Sequence, residues 1–347
     1  MAVRIKDVAR RAGVSSATVS RVLSNKPHVS EEVRRHILAV MEELDYQPSR
    51  VARSLRVQRS RIIGLIISDI QNPFFNILAR AIEDVAYEHQ YAVFLCNSDE
   101  DIEKEKLYID LMQAERVAGV MISPTRETDN PCQKLMTANI PVIVIDRRIT
   151  DLDVDTVVVD NVRGSMDLVN HLISDGHRRI GAVLGTPMAT TGRERYEGYL
   201  QTLKAHDLPI LPDLLRMGIP KAAVGYKLTE ELLDLSAPPT AIFTGNNLLT
   251  IGALRAIRDR GLRIPDDIAL VAFDELDWMS LVKPALTVIS QPTYELGHTA
   301  ARLLLERIKG SVHPSRTVVF TPQLVIRQSC AHHILERPGM PVPVLIT

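Results

Sequence analysis

Apolar positions recur at helical spacing near the start of the chain, first at Ile5, Val8, Ala9 and Ala12, then at Val19, Val22 and Leu23. The pattern predicts two short amphipathic helices, the first over residues 5–12, whose apolar faces meet. Between them Gly13 supplies a turn conformation that strains a residue with a Cβ, and Val14 can plug the angle between the helices. Ser15 suits the N-cap of the second helix. Opposite that helix's buried face lie Ser16 and Ala17, with Arg21 a turn later. Two readings fit this spacing: an ordinary helical hairpin, and a helix-turn-helix that offers these positions to base edges in the major groove. Asn25-Lys26-Pro27 then breaks the pattern, and Ser30 can cap a third helix opened by Glu31 and Glu32. Val33, Ile37, Val40, Met41 and Leu44 form the stripe that covers the first two helices.

After Pro48, Ser49 can start a short helix with Arg50, Arg53 and Arg56 on one side and Val51, Ala52 and Leu55 on another. Such a segment is too short to be stable alone. Either it orders against DNA or a second copy of itself, or it is a plain solvated linker. From Ile62 the period changes. Residues 62–67, 92–95, 120–122 and 142–145 are apolar runs separated by amphipathic segments, as in buried parallel strands. After Asp160-Asn161 a second set follows at 180–184, 241–244 and 269–273, with helices such as 193–206 and 248–260 between. Residues 287–289 and a helix near 294–309 are expected to return the chain to the first set.

The predicted architecture is a small all-α helix-turn-helix head on an α/β core of two doubly wound parallel-sheet lobes. The head spans residues 1–46, the hinge 47–60 and the core 61–330. Lobe 1 is about 61–160 plus 290–325 and lobe 2 about 161–289. Residues 331–347, proline-rich and without a heptad pattern, are expected to be a disordered tail with no tetramerising coiled coil.

Charge sharpens this picture. Of 41 basic and 42 acidic residues, 13 and 6 fall in residues 1–61, a net of +7, which leaves 28 and 36 for the rest, a net of −8. A basic head on an acidic body fits a head that meets a polyanion. There is no run of about 18 apolar residues and no signal-peptide core. Cys96, Cys132 and Cys330 lie far apart without metal-ligand spacing, so they read as packing residues in a reducing cytoplasm.

Ligands of open α/β sheets sit beyond the carboxyl ends of strands. The residues there are Asp69 through Phe75, Ser123-Pro-Thr125, Asp146-Arg147, Asn246-Asn247, Asp274-Glu275 and Gln291, with Arg193 and Arg195 opening a helix after Gly185 and its loop. Carboxylates, guanidinium groups, amides and two aromatics suit a small polyhydroxyl ligand. Taken singly, each has a plain alternative: a helix cap for Asp146 or Asp274, core for Phe74 and Phe75, a surface charge for Arg147. Arg147 and Arg195 are expected to hold the cleft carboxylates ionised.

Lys6-Asp-Val-Ala, Gly13-Val-Ser, Thr18-Val-Ser-Arg-Val and Tyr46-x-Pro…Ala52-Arg-Ser-Leu55 together resemble the lactose-repressor/galactose-repressor family of bacterial transcription factors, over about residues 3–330. The resemblance implies that Ser16, Ala17 and Arg21 touch bases and that Thr18 and Ser20 touch phosphates. By the same resemblance, the hinge helices of a dimer (Ala52, Leu55, Arg56) enter the minor groove, with Leu55 as the wedge. Ser49 stands where many members have Asn. The body also resembles periplasmic sugar-binding proteins of the ribose-binding type at Asn72-Pro-Phe-Phe75, Asp146-Arg147, Gly192-Arg-Glu-Arg195, Asn246, Phe273-Asp274 and Gln291. That likeness implies that Phe74 and Phe75 sandwich a sugar ring, while Asn72 shares the site and Asp146, Arg147, Arg195, Asn246, Asp274 and Gln291 bond hydroxyls. Two departures stand out. Asn247 replaces a common acidic residue, and residues 218–223 lack the aromatic that relatives place against the ligand.

The expectation is a homodimeric cytoplasmic regulator, in most such cases a repressor, that binds a pseudo-palindromic double-stranded operator. It answers to a monosaccharide such as ribose and needs no cofactor, metal or membrane. Alternative effectors are a phosphorylated sugar, a nucleobase or a protein co-regulator. A sugar-transport or sensory protein fits less well with the basic head. An enzyme lacks support, since no P-loop, dinucleotide fingerprint, HExxH or nucleophile elbow occurs.

Overall fold

The computed structural model describes residues 3–23, 29–46 and 60–330. The hinge expectation for residues 47–59, with Ser49, Ala52, Leu55 and Arg56, and the tail expectation for 331–347 lie outside the described residues. The chain divides into two compact units, residues 1–60 and the remainder.

In the small unit, α1 (Ile5–Arg11), α2 (Ser16–Leu23) and α3 (Glu31–Glu43) enclose a core of Val8, Ala9, Ala12, Val19, Val22, Ile37, Val40 and Met41. Gly13 adopts φ +66°, a value that favours glycine. Ser15 Oγ accepts from the Thr18 amide at 3.1 Å, and Ser30 Oγ accepts from the Val33 amide at 3.4 Å, so both predicted caps are made.

The larger unit holds two six-stranded sheets. The first contains β1 (Ile62–Ile67), β2 (Ala92–Asn97), β3 (Gly119–Ile122), β4 (Val142–Ile145), β5 (Asp155–Val159) and β11 (Thr317–Phe320). Its order is β11-β5-β4-β3-β1-β2, all parallel. Around it lie α4 (Pro73–Glu88), α5 (Ile102–Ala114), the short α6 (Gln133–Thr137) and α11 (Thr293–Ile308). The second sheet contains β6 (Ile180–Gly185), β7 (Leu215–Gly218), β8 (Ala241–Thr244), β9 (Ala269–Phe273), β10 (Thr287–Ser290) and β12 (Gln323–Val325). Its order is β12-β10-β9-β8-β6-β7, and its helices are α7 (Asn161–Ser174), α8 (Thr190–Ala205), α9 (Ala222–Leu233) and α10 (Asn247–Asp259). Each sheet is buried on both faces by two apolar clusters, which explains why its central strands read as continuous apolar runs.

Three features differ from the sequence expectation. Residues 287–289, expected to lead back to the first lobe, form β10, which pairs in parallel with β9 of the second sheet. Residues 290–325, assigned to lobe 1, divide: α11 packs on α4 and the first sheet and β11 joins β5, whereas β12 pairs with β10 in the second sheet. The β12 pairing is antiparallel, so the second sheet is not wholly parallel. A three-residue strand after Thr321-Pro322 carries too little pattern to announce its partner. The chain therefore crosses between lobes three times, near 160, 291 and 321.

Candidate ligand cleft and head surface

Between the lobes a cleft of about 600 Å3, counting its open mouth, is lined by Asn72, Phe74, Phe75, Asp146, Arg147, Arg195, Asn246, Asp274 and Gln291. All nine residues singled out for ligand contact thus meet in one place. The topology explains the convergence, because the carboxyl ends of both sheets face the gap. Asp146 follows β4 and Asp274 follows β9, with φ of +66° and +76°. Left-handed backbone is tolerated by Asp and turns each carboxylate away from its strand direction. Asn72 and Asn246 are the N-caps of α4 and α10, their side-chain oxygens accepting from Phe74 and Leu249 amides. Gly192 lets α8 press onto the loop after β6: a Cβ there would lie 2.1 Å from the Thr186 carbonyl oxygen.

The charged groups are mutually braced. Arg147 gives a forked pair of hydrogen bonds to Glu100 and a third to the Pro124 carbonyl, while its buried Nε makes no hydrogen bond and faces Asp146 Oδ2 at 3.7 Å. Burial opposes its charge, yet Glu100 and Asp146 hold its pKa above the ordinary value. Arg195 lies 3.8 Å over the Phe273 ring, donates from Nε to Asn161 Oδ1 at 3.0 Å and donates to the Gly245 carbonyl. Burial lowers its pKa against the pull of Asp274 and Asp146. Asp274 accepts from Gln291 and from the Asn247 amide.

One expectation about this chemistry is narrowed and a second is corrected. Burial outweighs Arg147 and Arg195 at Asp146 and pushes its carboxyl up to about 6, so it is mostly ionised at neutral pH but with a smaller margin than an ordinary carboxylate. Phe74 and Phe75 stand edge to face, centroids 5.1 Å apart at 85°, on one turn of one helix. No ring fits between them, so a sandwich by this pair is excluded. They make one angled apolar corner instead.

Sequence reasoning missed Glu100, Thr186, Ala189, Thr191 and Pro220, which also line the cleft. Glu100 sits in a loop with φ +60° and no periodic signal. Lys221 was missed too, and it joins the lobes: its Nζ donates to Asp69 Oδ2 at 2.9 Å and to Asp99 Oδ1 at 2.5 Å. Arg193 reaches Glu127 at 2.8 Å, Arg148 reaches Glu194 at 3.0 Å, and Asn247 Nδ2 donates to Asn72 Oδ1 at 2.8 Å. Asn247 lies behind the cleft wall rather than on it.

On the small unit, the α2 face opposite Val19 and Val22 exposes Ala17 and Arg21. Ser16, Thr18 and Ser20 are half-buried beside them, Thr18 Oγ1 lying 2.9 Å from Ser15 Oγ. The structure therefore brings all five described DNA-contact candidates to one helix. Among the described residues no helix is long and apolar enough to cross a membrane.

Comparison with known proteins adds the following. A profile described as periplasmic binding proteins and sugar binding domain of LacI family matches residues 60–327, and one described as bacterial regulatory proteins, lacI family, matches residues 4–49. The HTH-type transcriptional repressor PurR of Mannheimia succiniciproducens is 33% identical over 326 residues, covering 94% of this chain and 98% of that protein. The crystal structure of the lac repressor dimer bound to operator and the anti-inducer ONPF superposes with a TM-score of 0.81 at 29% identity, over 95% of this chain and 99% of that one. A LacI family transcriptional regulator from Enterococcus faecium with bound ribose gives a TM-score of 0.70 at 32% identity, over 78% of this chain and 98% of that one.

Proposed function

Because the chain belongs to the lacI family of bacterial regulatory proteins, which are ligand-responsive DNA-binding transcriptional repressors and not enzymes, we propose that its effector is an unphosphorylated monosaccharide of about pentose size held between the two lobes. The observation that carries this reading is the donor set of the cleft. Buried carboxylates, guanidinium groups and amides converge from both lobes, and a hydroxyl can accept from one and donate to another at once. Arg147 Nε, which makes no hydrogen bond and faces Asp146 Oδ2 at 3.7 Å, is one donor that such a group can engage.

Charge argues against a sugar phosphate. Asp69, Glu100, Asp146 and Asp274 line the cleft against Arg147 and Arg195, and both arginines are already engaged. A dianion would meet net negative surroundings without a free cationic fork. A nucleobase fits less well, because a flat heterocycle gains most from parallel aromatic faces. Here the aromatic lining is the angled Phe74–Phe75 corner, with Ala189 and Pro220 among the other lining residues. The ribose-bound Enterococcus faecium regulator agrees with the sugar reading.

In this reading α2 docks in the major groove through Ser16, Ala17 and Arg21, with Thr18 and Ser20 on phosphates, and two hinge segments bearing Ala52, Leu55 and Arg56 enter the minor groove. Two copies pair through their first lobes. The outer strand β2 exposes Phe94 and Leu95, and the neighbouring α5 exposes Leu107 and Leu111, an apolar edge suited to a second copy. Effector changes operator affinity only as far as it binds one lobe arrangement better than the other.

The test is a thermal-shift titration of the full chain with ribose and other monosaccharides, their phosphates and free nucleobases. A ligand at about 100 times its dissociation constant that binds only the folded chain adds about 2.7 kcal/mol. The reading expects a saturable rise with a neutral sugar. A rise with only a phosphate ester or a nucleobase overturns it. Fluorescence anisotropy on a selected operator then shows whether the same sugar releases or recruits DNA.

A further inference from the structure

The geometry points to a binding site for a transition-metal cation of the Zn2+ class on the second lobe, formed by His171, Asp175 and Cys330, none of which lines the cleft. His171 and Asp175 are four residues apart at the carboxyl end of α7, so both side chains leave one face of the helix. Cys330 comes from the chain beyond β12, 159 positions away from His171 in sequence, which is why cysteine spacing alone showed no ligand pattern.

The three ligand atoms all lie within 4.8 Å of one another. Cys330 Sγ is 3.1 Å from His171 Nε2, and His171 Nε2 is 3.6 Å from Asp175 Oδ2. Bond lengths of about 2.3 Å to sulfur and 2.0–2.2 Å to nitrogen and oxygen place tetrahedral ligand atoms about 3.5 Å apart. The imidazole–sulfur and imidazole–carboxylate separations lie within a few tenths of an ångström of that figure, and the sulfur–carboxylate pair lies within 4.8 Å. Imidazole, thiolate and carboxylate is a donor set that Zn2+ and its neighbours accept, with a fourth position for water.

A second observation separates this from ordinary hydrogen bonding. Within the cluster, Cys330 Sγ donates to Thr287 Oγ1 at 3.2 Å, and His171 Nε2 is bonded to the sulfur. That chain leaves Asp175 Oδ2 buried and short of a well-formed hydrogen bond, facing His171 Nε2 at 3.6 Å with the Cys330 thiol beside the carboxylate. A buried carboxylate oxygen without a well-formed hydrogen bond is unfavourable, and a cation between it, the imidazole and the sulfur satisfies all three. His171 and Asp175 keep partial exposure, so an ion has a way in, whereas Cys330 is buried. Bound there, a cation would pin the chain after β12 onto the end of α7.

The experiment is titration of the reduced, chelator-treated full chain with Co2+, followed by optical absorption, then competition with Zn2+. The expected result is one equivalent with a thiolate-to-cobalt charge-transfer band, lost on adding Zn2+ and absent from Cys330→Ser. Zn2+ should also raise the melting temperature of the wild-type chain but not of that variant. Because Cys330 is buried and its replacement can unfold the lobe, Asp175→Asn serves as the second variant. It should keep the fold and weaken cobalt binding about tenfold or more. No charge-transfer band overturns the proposal, as does cobalt binding without one, which would place the ion on ligands other than Cys330. A band that survives in a folded Cys330→Ser, or unchanged affinity in Asp175→Asn, overturns it equally.

Discussion

Replacing Lys221 by Met removes one ammonium that holds two carboxylates of the opposite lobe, while leaving a side chain of similar length. Lys221 is about a quarter exposed, Asp69 is buried in the cleft wall and Asp99 is 41% exposed. The Asp99 contact, partly solvated, is worth about 0.2–1 kcal/mol. Stripping a fully buried carboxylate of its partner costs about 3–5 kcal/mol, but Asp69 keeps the Gln71 amide as a donor to Oδ1. A loss of about 1–2 kcal/mol for the closed lobes follows, or a factor of about 5–30 in the closing equilibrium. Since the cleft residues converge only with the lobes together, effector affinity falls by up to the same factor. Calorimetric titration at low and high salt, with small-angle scattering of the free chain, reads both parts. Lys221→Met should bind more weakly, scatter as a more open particle and lose part of the wild type's salt dependence. Equal affinity at both salts together with unchanged scattering would refute the claim that this contact restrains the lobes.

Asp146 adds a pH prediction. Its carboxyl in the free cleft is pushed up to about 6 by burial, and a sugar hydroxyl that donates to the ionised form lowers it again on binding. Affinity should therefore be level above pH 6 and decline as pH falls below it; Asp146→Asn should bind more weakly with a flat profile, and an unchanged sloping profile in that variant would assign the titration elsewhere. Leu55→Ala should weaken specific operator binding in an anisotropy titration while leaving effector affinity unaltered, because the hinge and the cleft are separate parts of the chain. Loss of both activities in a folded Leu55→Ala would contradict that separation.

How much of this was legible in the residues depends on how locally each feature is encoded. Gly13, Ser15 and Ser30 act on their own neighbours, so the head's turn and caps could be read directly. Asp146, Asn246 and Asp274 follow unmistakable strands, and the rule for strand ends then places them in the cleft. Strand β7, Leu215-Arg-Met-Gly218, is half-exposed at a sheet edge and has no apolar run to announce it. Glu100 and Lys221 work through partners 47 and 152 residues away, Arg147 and Asp69, and nothing in their own surroundings marks them. The upward shift at Asp146 escaped the sequence for a related reason. Neighbouring charges can be read from sequence, whereas the depth of burial that dominates them cannot.

The three lobe crossings leave and enter at one side. In the first sheet the strands that feed them include the adjacent edge pair β5 and β11, and in the second the receiving or departing strands include the adjacent edge pair β10 and β12. Three short tethers set side by side act mechanically as a door hinge. Sliding and twisting of one lobe past the other would stretch at least one tether, whereas rotation about their common line stretches none. Closure is thus reduced to a single angle. A small molecule gripped at the open side acts with the full width of the cleft as its lever, and the same angle reaches every part of each lobe at once.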